Sequence, residues 1–252
     1  MKEGQKRWTR EELILTFNLY CKTPFGKLHS RNPEVIELAA LIGRSPNAVA
    51  FKLVNFASLD PSLKKRGIKG ASNHSKLDKE VWDAFNDNWE ELAFESEQLR
   101  AQLYGKSQGT NDFVQEPRIT EGKEELRLVK ARVNQQFFRS MIMAAYNQTC
   151  CITGIGIPSL LIAGHIRPWA EAPELRLNPH NGLALNALHD KAFELGLITI
   201  TPDYKVRVSP QLPTEEANTF FSRYEGQPIR LPQRFLPDPE LLKYHNNERF
   251  LH

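Results

Sequence analysis

Cysteine is scarce, with three in 252 residues and two of them adjacent as Cys150 and Cys151. Such a set builds no disulfide framework, and it lacks the two separated Cys-x-x-Cys pairs of a structural zinc site. Reduced thiols packed in a core are the expectation. Long apolar runs are missing as well. The longest uncharged apolar stretch, Cys150 to Gly164, is interrupted by Thr153, Gly154, Gly156, Pro158 and Ser159 and is too short to cross a bilayer. The opening MKEGQKRWTREE has neither the apolar segment nor the small-residue cleavage site of a secretory signal. A cytoplasmic protein with no membrane partner is therefore expected. With 40% apolar and 25% charged residues, the chain has enough apolar material for one large or two small globular domains.

The net charge of +3 conceals a segregation. Residues 1–70 carry thirteen Lys/Arg against six Asp/Glu, residues 76–125 carry six against thirteen, and residues 126–252 carry fourteen against eleven. The ends are basic and the middle acidic. A basic block is either a solvated face or the footprint of a polyanion.

WTREELILTFNLYCK predicts an amphipathic first helix with Thr9 as N-cap and Glu11 and Glu12 in its first turn. Asn32-Pro33 opens a second helix with Pro at its first position, and Gly43 stops it. Ser45-Pro46 opens a third, in which Val49, Leu53 and Phe56 share one face. Two helices joined by a Gly-containing turn read as a helix-turn-helix, although the pattern alone also fits a helical packing bundle. The charge count favours nucleic acid. Arg44, Asn47, Lys52 and Asn55 are of the types that reach bases or phosphates, and Lys64, Lys65, Arg66 and Lys69 follow in a Gly-punctuated loop. They are the candidate contacts to double-stranded DNA.

Residues 76–105 have helical spacing in Val81, Trp82, Phe85, Trp89, Leu92 and Leu99, predicting one long helix or two that pack on the first module. Residues 106–125 lack periodicity and are rich in Gly, Ser, Pro and charge, so they read as a linker. The expected organisation is a helical domain over 1–105 and a second domain over 126–252.

The second domain opens with a helix, VNQQFFRSMIMAAYNQTC, and then turns to short apolar runs broken by Gly and Pro. LLIAGHI reads as a strand ending at His165, GLAL as a second strand after Asn181, and NALHDKAFELG as a helix carrying His189 and closed by Gly196. LITITPDYKVRVS reads as a hairpin turning at Pro202-Asp203, and Thr214 as the cap of a further helix. The expected fold class is α+β, a helical helix-turn-helix-like domain followed by a ββα domain.

GHIRPW, RLNPHNGLAL and LHDKAF, with sixteen positions from His165 to Asn181 and eight from Asn181 to His189, resemble the HNH, or ββα-metal, endonucleases. The flanking sequence and the N-terminal helices also resemble bacterial restriction endonucleases of that group. The resemblance implies a divalent-metal-dependent phosphodiester hydrolase. His165 would take a proton from water, Asn181 would hold the loop or base in orientation, and His189 would hold Mg²⁺, Mn²⁺ or a similar ion. Arg167 would contact a phosphate.

Two positions depart from the family pattern. Gly164 stands where many members place an Asp or His ligand, and Phe193 stands where many place a second helix histidine. Asp190 and then Glu194 are the nearby carboxylates proposed to complete the shell, against the plainer reading of each as a solvated helix carboxylate. A restriction role implies a homodimer to cut both strands. The open alternatives are a DNA-binding protein whose nuclease module has decayed, and a nuclease recruited by a protein partner.

Overall fold

The computed structural model describes residues 6–65, 67, 74–107 and 123–252. The chain forms two compact units, Met1–Phe137 and Phe138–His252. Most of the expected linker lies outside the described residues. No helix among them is long and apolar enough to cross a membrane.

In the first unit, α1 (Arg10–Lys22) starts at a capping box: the Thr9 side chain accepts from the Glu12 backbone, and the Glu12 side chain accepts from the Thr9 N–H. The spacing predicts an amphipathic helix, but α1 is buried on every side from Glu12 to Cys21. α3 (Pro46–Leu59), α5 (Lys76–Phe85) and α6 (Trp89–Ser107) all pack against it. Phe17 lies at the centre, 4.9 Å from Phe56 and 5.2 Å from Trp82 between ring centroids. Complete burial of each such side chain contributes about 1.5–3 kcal/mol, so the helix is the core of its unit. α2 (Pro33–Leu41) and α3 form the expected corner. Gly43, at φ +63°, supplies the left-handed residue that ends α2. The acidic middle is two helices broken at Asn86–Asn88, and α4 (Pro61–Lys65) is one short turn.

The C-terminal part of α7 (Lys123–Ala145) opens the second unit. β1 (Leu161–His165) pairs antiparallel with β2 (Gly182–Asn186), placing Leu161 opposite Asn186 and His165 opposite Gly182. α8 (Ala187–Glu194) follows β2 directly and packs on both strands. Gly182 has no room for a Cβ, because Phe138 and Ile142 of α7 sit on it. β3 (Ile198–Ile200) and β4 (Val206–Val208) form the expected second hairpin. α9 (Glu215–Ser222) is capped by Thr214. In α10 (Pro239–Glu248), His245 and Asn246 bond to Thr199 and Ile200 of β3. Cys150 and Cys151 are free and fully buried, as the core-packing expectation had it.

Candidate active site

His165 ends β1 with its ring half-buried and stacked on Phe138, 4.1 Å between centroids and 5° between planes. Its Nε2 is 3.0 Å from the carbonyl oxygen of Arg176. A carbonyl only accepts, so in the neutral ring Nε2 carries the hydrogen and Nδ1 keeps the basic lone pair. Burial lowers the His165 pKa, and the Arg176 carbonyl opposes this by favouring the protonated ring. The imidazole is neutral at neutral pH.

Asn181 is fully buried at the entrance to β2. Its Oδ1 accepts from the Arg167 N–H at 2.8 Å, and its Nδ2 donates to the carbonyls of Arg167 at 3.0 Å and Leu175 at 3.4 Å. One amide thus ties down the loop at both ends, two residues after His165 and one before the Arg176 carbonyl that fixes its tautomer. Arg167 lays its guanidinium over Tyr244 at 4.7 Å, and its Nε is buried without a hydrogen-bond partner.

Asn186 ends β2 and caps α8. Its Oδ1 accepts from the His189 backbone N–H at 3.0 Å and lies 3.0 Å from His189 Nδ1. The ring is buried beside Phe220, Phe221 and Tyr224, the last at 5.0 Å. With the hydrogen on Nδ1 given to Asn186, the lone pair falls on Nε2, which is buried without a hydrogen-bond partner. Burial lowers the His189 pKa to about 4, so the ring is neutral.

Asp190, one position on, faces β1: a Cβ on Gly164 would overlap its Oδ1. Burial first, then the nearby Glu194 charge, raises its pKa to about 6, with Lys191 opposing. Glu194 points outward with its side chain 59% exposed and pairs with Lys191 at 2.8 Å. The expected trio of His189, Asp190 and Glu194 is therefore not assembled. Among the described residues no group of three or more His, Cys, Asp or Glu is arranged to hold a metal. The outward turn of Glu194 removes it from the expected shell.

Two features of α8 do fit a divalent cation. His189 donates through one ring nitrogen to an amide oxygen and leaves the other as an unused, buried lone pair, the arrangement that orients a ligating imidazole. Asp190 offers a carboxylate oxygen with no hydrogen bond or salt bridge formed to it among the described residues. A hard cation accepts one or two carboxylates and completes its shell with water and phosphate oxygens.

Phe138, Asn186 and the Arg176 carbonyl contact the candidate site histidines and were not singled out by pattern. Asn186 had a readable signal, an Asn directly before a helix start. Phe138 reads only as an apolar helix position, and a backbone carbonyl carries no residue signal.

In the first unit the structure corrects three of the expected DNA contacts. Arg44 pairs with Glu12 at 2.7 Å, donates to the carbonyls of Lys6 and Arg7, and lies over Trp8 at 4.6 Å. Lys52 is buried against both carboxylate oxygens of Asp78 at 2.7 and 2.8 Å, and Asn55 donates to the same carboxylate at 3.3 Å. These side chains hold helices together because a buried charge must find its partner inside. Asn47 and Lys64 are exposed. The Lys65 side chain, Arg66 and Lys69 lie outside the described residues.

Among curated proteins the chain has no match. The strand, loop, strand and helix that carry His165, Asn181 and His189 all fall within residues 150–201, which match the family model described as HNH endonuclease. By that match and its ββα geometry, residues 150–201 are similar to HNH endonucleases.

Proposed function

We propose that the protein is a divalent-metal-dependent DNA endonuclease of restriction or defence type. The single observation that carries this reading is the 3.0 Å contact of His165 Nε2 with the Arg176 carbonyl, which leaves Nδ1 as the basic nitrogen, inside the stretch that matches the HNH endonuclease model. Nδ1 accepts a proton from a water molecule, whose oxygen forms a bond to the scissile phosphorus while the bond to the 3′-oxygen breaks. The leaving oxygen then takes a proton from solvent. Asn181 keeps the loop closed, so His165 and its carbonyl partner stay in register. His189 Nε2 and the Asp190 carboxylate are the groups proposed to hold the cation. When bound, the cation supplies a Lewis acid that neutralises charge building on the phosphoryl oxygens. Its oxygen ligand favours Mg²⁺ or Mn²⁺.

Asn47, Lys64, Lys65 and Arg66 are the proposed contacts of the helical unit to double-stranded DNA, and Arg167 is a proposed phosphate contact of the nuclease unit. A homodimer in the cytoplasm is proposed for cutting both strands. A second reading, a DNA-binding protein with a decayed nuclease module, draws on Gly164 and Phe193, which stand where the family places ligands.

The test is incubation of supercoiled plasmid, plain and cytosine-modified, with the full chain in Mg²⁺, Mn²⁺ or EDTA. Nicking or cutting that needs the metal supports the nuclease. DNA retardation without cutting under every condition favours the second reading.

A further inference from the structure

Gly164 is paired with Leu183 within the β1–β2 ladder, one pair from its His165 end, and its backbone is not in the left-handed region. Glycine inside a strand costs roughly 0.5–1 kcal/mol relative to alanine, and here no turn or positive φ requires it. The reason lies in space: a Cβ at this position would fall on Oδ1 of Asp190, with the next heavy atom, the Asp190 carboxyl carbon, at 3.6 Å. The Asp190 carboxylate occupies the volume that a side chain at 164 would use. It is partly buried there with no hydrogen bond or salt bridge formed to it among the described residues. A few atoms away in the chain, the Nε2 of His189 is buried and equally without a partner. Two candidate ligand groups on adjacent residues of α8, one of them buried without a partner, thus accompany one missing side chain on the strand.

We infer that the ligand many members of the resembling group place on the strand before the base is supplied here from α8, with Asp190 providing the carboxylate and Gly164 serving as the vacancy that admits it. This rests on the metal-nuclease reading above. It recasts the departure at Gly164 as one half of an exchange. Asp190 is then a ligand delivered from the helix side, and Gly164 is a positioning residue that acts only by being small. Phe193 fits the same account, since it stacks on His245 at 3.6 Å and belongs to the core.

The exchange is testable by moving the carboxylate back. Mn²⁺ binding to the full chain is followed by the loss of the free-ion electron paramagnetic resonance signal, with thermal melting as a check of folding. Asp190→Ala and Gly164→Ala are each expected to weaken Mn²⁺ binding by about tenfold or more at an intact fold, the usual effect of disturbing a ligand or its support. The double variant Gly164→Asp with Asp190→Ala is expected to regain most of that loss, because the carboxylate returns from the strand. Binding that is unchanged in Gly164→Ala, or a double variant no tighter than Asp190→Ala alone, overturns the exchange. If those results accompany metal-dependent cutting by the wild type, the nuclease reading stands and only the exchange falls. A wild-type chain that neither binds Mn²⁺ nor cuts DNA overturns both.

Discussion

The Nε2 of His165 faces the carbonyl oxygen of Arg176 at 3.0 Å, across a loop pinned by Asn181. That contact decides which ring nitrogen is basic, and it makes the chemistry of β1 depend on a loop eleven residues away.

The loop is therefore the first place to probe. Asn181→Ala leaves the backbone N–H and carbonyl of Arg167 without the side chain that bonds them, while the Leu175 carbonyl keeps the Asn178 N–H. Each buried polar group so orphaned costs about 1–3 kcal/mol. We expect lower melting temperature together with a loss of cleavage larger than the folded fraction explains. Cleavage per folded molecule equal to wild type would show that the loop does not position the base.

The pH dependence of cleavage follows from the same ring. The His165 pKa is lowered from the ordinary 6.5, so its neutral, proton-accepting form persists to lower pH than for a free imidazole. The acidic limb of the single-turnover rate should have its midpoint below 6.5. A midpoint above that value contradicts the burial-driven shift.

Stability responds to a different histidine. His245 is buried, its Nε2 donates to the Phe193 carbonyl at 3.1 Å, and burial pulls its pKa to about 4. The unfolded chain titrates near 6.5, so it binds the proton first as pH falls. The contribution of His245 is complete above 6.5 and is lost progressively as pH falls towards 4, on the order of 3 kcal/mol over that interval. Denaturant midpoints measured across this range should decline, and His245→Gln should flatten the decline while lowering stability at neutral pH.

The helical unit separates charge used for folding from charge left for a ligand. Asp78→Ala strands the Lys52 ammonium in the core, which should cost about 3–5 kcal/mol. Lys52→Met should bind DNA as wild type does at temperatures where both are folded. Lys64→Ala, at an exposed position, should weaken binding and lower the slope of log affinity against log salt by about 1. Retardation assays at several salt concentrations check both.

Much of this architecture was legible beforehand because its signals are local. Thr9, Pro33, Pro46, Gly43 and Thr214 mark helix ends through their own backbone or side-chain chemistry, and the structure keeps each boundary. The β1–β2–α8 order followed from strand-like runs and the HNH spacing. What local pattern could not show is direction. α1 looks two-faced in sequence yet is enclosed by α2, α3, α5 and α6, a fact about neighbours distant in the chain. Lys52 and Asn55 resemble DNA contacts until Asp78 is brought against them by α5. Glu194 and Asp190 are equivalent carboxylates in sequence, and only the packing of α8 on β1 turns one inward beside Gly164.

The most direct test of the central claim, that His165 is the general base of a metal-dependent nuclease, is the single-turnover cleavage rate of His165→Ala beside wild type in saturating Mg²⁺. The account predicts a loss of about 10²–10⁴-fold, the range of a lost general base, with the fold intact by thermal melting. A rate within about threefold of wild type, far inside that range, would contradict it.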